Sequence, residues 1–243
     1  MRKPFKIILF LAAIFILLIS GSYAYLRSQR RTTRIERIRT WLSNPAAHPE
    51  WLIHIGERCG DAPMLIPTTG FIGVAWRDGA PPVYQHTGYD IFSPDGADNI
   101  TPIIAAYDGF LTREATWRSA VIIRHPNFPE FEGIPEGVAG RDIWTYYTHM
   151  ASADGQTSYI APEFPPGTYA VFVKAGTLLG YQGTWSGNAE RPTGLHLHFS
   201  ITKSVSDGGY ANETQIENTY DPLPFLGLTE NNQGIITCLG LDD

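Results

Sequence analysis

The sequence predicts a mainly β domain, a single antiparallel sheet or sandwich-like arrangement, preceded by one N-terminal transmembrane helix. After residue 42, short β-rich runs alternate with turn-forming clusters, and no long segment repeats its apolar residues at helical spacing. The 243 residues include 24 Gly and 18 Pro, which favours many turns over a helical bundle. An uncharged apolar run near the N-terminus predicts the single helix.

That N-terminal run is long enough to cross a membrane. No charged residue lies between Ile7 and Leu26, and a helix of about 20 residues spans the hydrocarbon core of a bilayer. The basic residues before the run and the small residues at Ser22–Ala24 also fit a cleaved signal peptide. We expect residues 1–26 to be an uncleaved anchor, with a secreted protein as the outcome if they are removed.

Residues 27–58 are expected to form a basic helical stalk or linker, since Ile35, Ile38 and Leu42 recur at helical spacing opposite a basic face. Arginines follow the hydrophobic run as well as preceding it, so the positive-inside rule alone would leave the domain in the cytoplasm. The signal-like N-terminus and a pair of cysteines favour export. We therefore expect a single-pass cell-membrane protein with its domain on the extracytoplasmic side.

The two cysteines, Cys59 and Cys238, lie near the ends of the domain predicted over residues 59–243. A disulfide between them would clamp both ends of the domain in an oxidising compartment. Two buried thiols are the alternative, and the sequence leaves the pairing open.

The charge distribution excludes nucleic acid as a partner. Nine of the 18 Lys and Arg residues, but only one of the 24 acidic residues, lie within the first 39 positions. The rest of the chain therefore carries nine basic against 23 acidic residues, and phosphate backbones would repel it.

Histidines in three short motifs indicate where chemistry is located. His86 and Asp90 are four residues apart, so an extended chain would direct both side chains to the same face. A hydrogen-bonded His–Asp pair is the simpler interpretation of this motif. His196 and His198 alternate with the apolar Leu197, which places both imidazoles on one side of a strand. His149 ends a third β-rich run.

Together the motifs suggest a catalytic metal site. His86, Asp90 and one of the His196/His198 pair would supply three protein ligands and leave a fourth position open, which is the pattern of catalytic zinc. The remaining histidine of the pair and His149 could move protons or stabilise developing negative charge.

The ordered motifs resemble those of the lysostaphin/LytM-type zinc endopeptidases, which cut peptide bonds in bacterial peptidoglycan. Five segments match the family pattern in the same order: His86–Asp90, Ala105/Ala106–Gly109, Thr145–His149, Val173–Gly180 and Gly194–Phe199. The resemblance covers roughly residues 67–202. It implies the LytM fold, also called the duplicated hybrid motif, and a peptidoglycan peptide as substrate.

The resemblance also implies a role for each residue. His86, Asp90 and His198 match the family's ligands to one Zn2+, and His149 and His196 match its catalytic histidines, although it does not decide which of these two is the general base. The chain departs from the family at position 200, where a serine stands in place of the usual glutamate.

Two other functions compete with a zinc endopeptidase. One is a catalytically silent or partner-activated module that binds peptidoglycan or activates a cell-wall amidase, which would work with a regulatory protein partner. The other is a sugar phosphotransferase carrier with a phosphorylated histidine, which the predicted anchor and Asp90 oppose. All five site positions are filled, which favours the enzyme.

The other histidines and several aromatic residues have plainer interpretations. His48, His54 and His125 are expected to be ordinary surface or loop residues. Some aromatic side chains could line a substrate groove, and a place in the β core is an equally good interpretation for each of them: Trp144, Tyr146, Tyr181 and Trp185.

Overall fold

The computed structural model describes residues 14–16, 18–19, 21–22, 34–80 and 83–238. Trp41–Asp243 forms the larger of two compact units. Within the described ranges, no helix combines the length and the apolar character needed to cross a bilayer. Most of the predicted anchor and the start of the predicted stalk lie outside the described residues, so both stay predictions.

The described residues form fifteen short strands. In chain order they are β1 (Leu52–Ile53), β2 (Gly70–Val74), β3 (Gly79–Ala80), β4 (Tyr84–Gln85), β5 (Tyr89–Phe92), β6 (Pro102–Ile104), β7 (Gly109–Thr112), β8 (Val121–His125), β9 (Ile143–Thr148), β10 (Val171–Val173), β11 (Leu178–Tyr181), β12 (His196–Lys203), β13 (Thr219–Tyr220), β14 (Leu228–Glu230) and β15 (Ile236–Cys238). Strands β2, β8, β9, β10 and β12 overlap the β-rich runs that the sequence predicts at residues 70–76, 120–124, 144–149, 170–173 and 195–201.

Helices contribute little to the unit. Residues 34–43 are helical, and the elements that follow are short: 3-10 turns at Pro45–Ala47, Pro49–Trp51 and Ile216–Asn218 and an α-helix at Leu223–Leu226. Proline occupies the start of the first two turns, where its fixed φ and missing N–H are tolerated. The predicted lack of long helices after residue 42 is confirmed for the described part of the chain.

Nine strands form one antiparallel sheet in the order β1-β2-β5-β12-β9-β8-β7-β10, with β13 also pairing with β12. The pairs β6–β11, β3–β4 and β14–β15 form three small antiparallel sheets. The predicted mainly β, antiparallel domain is therefore confirmed. Strands β5, β12 and β9 are neighbours at the centre of the large sheet, and the three histidine motifs lie on or next to them.

Strand β12 shows how the sheet separates its core from its site. On one face Leu197, Phe199 and Ile201 are fully buried, and Phe199 packs against the Tyr147 ring with 5.3 Å between centroids. Because side chains alternate along a strand, the other face carries His196 and the polar residues that follow it at every second position. That polar face is also buried, so its groups need partners.

The compact unit includes residues that the sequence analysis assigned to the stalk. Trp41 is completely buried, and its ring lies 5.4 Å from that of Phe71. Strand β1 extends the large sheet by pairing with β2. Cys59 and Cys238, whose pairing the sequence left open, form a disulfide with their Cα atoms 5.1 Å apart.

Candidate metal centre

Sheet register brings the first two site residues together. His198 on β12 lies directly opposite Asp90 on β5, so their side chains leave the same face of the sheet. His86 precedes β5 on a segment that crosses β12 very closely. A Cβ atom at Gly88 would lie 2.2 Å from the Phe199 carbonyl oxygen, so only glycine permits this crossing.

Three ligand atoms then form a small triangle. Nε2 of His86 lies 3.0 Å from Oδ1 of Asp90 and 3.1 Å from Nδ1 of His198. The third side, from His198 Nδ1 to Asp90 Oδ1, is 2.9 Å. These are the residues that the resemblance assigned as zinc ligands, and they form a group whose geometry could hold a metal ion.

Backbone carbonyls fix the proton positions on three imidazoles. His86 Nδ1 donates to the carbonyl oxygen of Ala75 at 3.2 Å, and His196 Nδ1 donates to that of Gly194 at 2.7 Å. His149 Nδ1 donates to the carbonyl oxygen of Trp185 at 2.6 Å. Because a carbonyl oxygen can only accept, the proton of each neutral ring stays on Nδ1 and Nε2 presents a lone pair.

A carboxylate fixes the remaining imidazole the other way round. Nε2 of His198 is buried and faces Oε2 of Glu213 at 3.5 Å, an ion-pair contact rather than a short hydrogen bond. Glu213 also accepts a hydrogen bond from Thr87 at 3.2 Å. A carboxylate favours a proton on the nitrogen that faces it, which leaves the lone pair of His198 Nδ1 for the triangle.

All three atoms of the triangle are therefore acceptors. Two lone pairs and a carboxylate oxygen about 3 Å apart repel one another unless a cation lies among them. Tetrahedral zinc with ligands at about 2.0–2.1 Å separates neighbouring ligand atoms by about 3.3 Å, close to the observed sides. Two imidazoles and a carboxylate suit Zn2+, so the residues present fit the metal that the sequence predicts.

In the metal-free protein, a proton takes the place of that cation. Burial alone would raise the pKa of Asp90, but the charge of His196 and hydrogen bonds from the surrounding histidines hold it well below its usual range. Burial likewise opposes protonation of His198, yet hydrogen bonds and charge from Asp90 and Glu213 raise its pKa to about 10. The site thus carries a strong preference for positive charge.

The other two histidines stand beside the triangle. Nε2 of His196 lies 3.3 Å from Oδ1 of Asp90, and the rings of His149 and His196 are 4.5 Å apart. The sequence placed His149 on a strand, but β9 ends at Thr148, and His149 has a φ of +74°. That left-handed conformation turns its ring towards the site.

Burial, together with the charges of the two neighbouring histidines, lowers the pKa of His149 to about 3. Its ring is therefore neutral at physiological pH. A neutral imidazole whose Nδ1 is already hydrogen-bonded has Nε2 free to accept a proton.

Two residues were missed or misassigned from sequence. Glu213 follows the last matching motif, and no local pattern links it to a histidine 15 positions earlier. His125 is buried rather than a surface or loop residue, and its nitrogens contact the Asp108 carbonyl oxygen and the Thr145 hydroxyl, each at 2.8 Å. Burial lowers its pKa to about 4.

Among the aromatic residues with two interpretations, Trp144 is buried in the domain and donates through Nε1 to the Ser204 hydroxyl at 3.0 Å. Trp185 is half-buried beside the site, since its carbonyl oxygen is the one that His149 contacts. Tyr146 and Tyr181 are half-buried as well, and Tyr146 lies opposite Ser200 on the sheet face that carries His198.

No protein-family profile matches the sequence, and a comparison with curated proteins finds no match. Similar solved structures include the LytM protein of Ruminococcus gnavus ATCC 29149, at 21% identity and a TM-score of 0.37 over 62% of this chain and 49% of that one. The catalytic domain of the prophage-encoded M23 protein EnpA from Enterococcus faecalis is 20% identical, with a TM-score of 0.34 over 66% and 96% of the two chains. Lysostaphin is 20% identical, with a TM-score of 0.35 over 67% and 60%.

Proposed function

We propose that this protein is a zinc-dependent endopeptidase of the LytM type that hydrolyses peptide bonds in bacterial peptidoglycan. The observation that carries the proposal is the convergence of three acceptor atoms, from His86, Asp90 and His198, on a point that requires a cation. Two further imidazoles adjoin that point, with their Nε2 lone pairs unprotonated in the neutral rings. A structural zinc site would close all four positions with protein ligands, whereas this one supplies three.

In the proposed mechanism His86, Asp90 and His198 would hold the metal. Bound zinc supplies Lewis acidity, which polarises a carbonyl oxygen and lowers the pKa of a water molecule to about 7. His149 and His196 provide the proton transfers: each has its Nδ1 proton donated to a backbone carbonyl, so Nε2 is the atom that accepts and returns a proton. One removes a proton from the attacking water, and the protonated ring then stabilises the oxyanion or protonates the departing amine.

The position of Trp185 supports the role of His149. Its carbonyl oxygen, 2.6 Å from Nδ1 of His149, holds the imidazole in one tautomer and one orientation. The left-handed backbone at His149 adds to this, because such a conformation costs about 1–3 kcal/mol unless the surrounding structure stabilises it. The same arrangement would serve a silent binding module poorly, since such a module needs no oriented base.

Digestion of purified peptidoglycan by the zinc-loaded full-length protein tests this proposal. We expect soluble muropeptides from the unsubstituted protein and from the control variant His54→Ala, which alters an exposed histidine away from the site. His149→Ala and His196→Ala should retain zinc and lose about 10²- to 10⁴-fold in rate. Zinc-loaded protein that binds peptidoglycan without releasing fragments would instead support the silent or partner-activated module.

We also propose that residues 1–26 anchor the protein in the cell membrane with the catalytic domain on the extracytoplasmic side. The disulfide between Cys59 and Cys238 supports this placement, because disulfides persist in oxidising compartments. Fractionation of cells, followed by protease digestion of intact spheroplasts, tests it. A domain that stays protected in intact spheroplasts and is digested only after lysis would contradict the proposed orientation.

A further inference from the structure

A pocket of about 510 Å³ lies outside the candidate metal centre and is lined by none of its residues. Two segments line it, the β7–β8 connection and the loop after β9, through residues that include Arg113, Trp117, Arg118, Gly155 and Ser158. Strands β7, β8, β9 and β12 are successive antiparallel neighbours. The last residues of β7 and β9 and the first residues of β12 therefore lie at the same end of the strands. The pocket therefore lies at the same end of the large sheet's strands as the site histidines.

Trp185 connects the two places. Its backbone carbonyl oxygen accepts the hydrogen bond of His149, and its indole ring packs on Gly155, where a Cβ atom would lie 2.8 Å from the ring. The guanidinium of Arg118 lies 6.0 Å from the indole centroid and donates to the Gly155 carbonyl oxygen at 3.3 Å. Trp185 therefore contacts both a site histidine and the Gly155 wall of the pocket.

The pocket contains a buried cation without an ion-pair partner. Arg113 is 5% exposed, and its guanidinium donates to neutral acceptors only: the carbonyl oxygens of Trp117 and Phe164 at 3.1 and 2.8 Å and the hydroxyl of Ser158 at 3.1 Å. Three of its five N–H groups are used in this way. Across the described residues, neither Arg113 nor Arg118 forms an ion pair with a carboxylate.

Nearby acidic side chains accept hydrogen bonds from neutral donors. Asp154 accepts from the Ser152 hydroxyl and from the backbone N–H of Gln156. Glu114 accepts from the phenol of Tyr210 at 3.2 Å. Neither carboxylate forms an ion pair with Arg113 or Arg118 in the described part of the chain. The buried guanidinium of Arg113 therefore lacks an adjacent opposite charge, which a ligand carboxylate would supply.

We propose that this pocket binds a carboxylate of the peptide substrate, at a residue close to the bond cleaved at the metal centre; this inference rests on the proposed function. A guanidinium pairs with a carboxylate through parallel N–H···O bonds, and Arg113 keeps two N–H groups for that purpose. Arg118, exposed at the rim, adds a second positive charge. The indole of Trp117 supplies an apolar wall for the aliphatic part of the same residue.

Binding of one cell-wall stem peptide in two chemical forms tests the proposal. One form has free carboxylates, and in the other they are converted to carboxamides. Isothermal titration on the full-length, zinc-loaded His196→Ala protein measures affinity without rapid cleavage. We expect the free acid to bind about tenfold more tightly than the amide, since charge-assisted hydrogen bonds are roughly twice as strong as neutral ones.

Arg118→Gln, made in the same background, should reduce that difference by weakening the binding of the free acid, since Arg118 supplies one of the two positive charges. Its matched control is Arg141→Gln, which removes one exposed positive charge just before the start of β9, at the opposite end of the strands. Arg118 is preferred to Arg113 for the test because Arg113 also ties two loops together. Equal thermal unfolding midpoints in all variants establish that folding is intact.

Equal binding of both forms, binding of neither, or a preference that Arg118→Gln leaves undiminished would overturn the inference. Cleavage by the protein without the His196 substitution is measured separately. Absence of cleavage with carboxylate-dependent binding would count against the proposed function and support the pocket. Cleavage without any carboxylate preference would support the function and overturn the pocket.

Discussion

Glu213 should control how tightly the protein binds zinc, although it is not itself a ligand. Its carboxylate lies 3.5 Å from Nε2 of His198 and is 22% exposed. Opposite unit charges at that distance attract by about 5 kcal/mol at an effective dielectric constant of about 20. Hydration of the carboxylate partly offsets this energy, which applies in full only while His198 is protonated. Glu213→Gln removes the charge, so His198 loses the group that keeps its proton on Nε2 and its Nδ1 lone pair on the metal.

Changes to such supporting carboxylates weaken metal binding by about 10- to 100-fold, or about 1.4 to 2.8 kcal/mol. Competition against a chromogenic chelator at pH 7 measures the zinc dissociation constant of the Glu213→Gln protein. Glu217→Gln is the control, since it removes an exposed charge from the same segment. A zinc affinity within about threefold of the unsubstituted protein, in a fully folded variant, would refute the reasoning.

Three further predictions follow from groups already described. Zinc should displace a proton from His198, because the pKa of that residue is raised to about 10. The apparent zinc affinity, measured by chelator competition, should therefore rise about tenfold per pH unit from pH 6 to 8. A flat profile would contradict this. The pKa of His125 is lowered to about 4 from an ordinary value of about 6.5, so the unfolded chain binds a proton at this residue more readily than the folded protein does. The free energy of unfolding in urea should therefore fall by up to about 3 kcal/mol as the pH is lowered from 6.5 to 4. His125→Gln should flatten that dependence. The Cys59–Cys238 disulfide closes a loop with a sequence separation of 179. Its reduction should lower the free energy of unfolding by about 5 kcal/mol in the same assay. An unchanged unfolding midpoint would argue against a stabilising disulfide.

The sequence predicted those parts of the site that depend on strand periodicity. Alternation along residues 196–199 places two imidazoles on one face and Leu197 on the other. The spacing of four residues in an extended chain likewise directs the Asp90 and His86 side chains to one face. The close crossing at Gly88 also follows from its motif, since a residue without Cβ implies a close approach of two backbones. For such residues the local pattern and the tertiary register agree.

Other features depended on tertiary contacts that no local pattern contains. Glu213 reaches His198 from a loop that follows β12, and His125 is buried because β8 lies between β7 and β9 in the sheet. His149 was expected to end a β-rich run, but it follows the end of β9, and its own left-handed backbone conformation sets the direction of its ring.

Zinc content tests the central claim most directly, because everything proposed for the site depends on three acceptor atoms sharing one cation. Elemental analysis of the full-length protein, purified without chelators, should give about one zinc per chain for the unsubstituted protein and for Asp61→Ala, an exposed-carboxylate control. Asp90→Ala should retain less than about a tenth of that amount while remaining folded. Absence of zinc from the unsubstituted protein, or an equal amount in Asp90→Ala, would contradict the account.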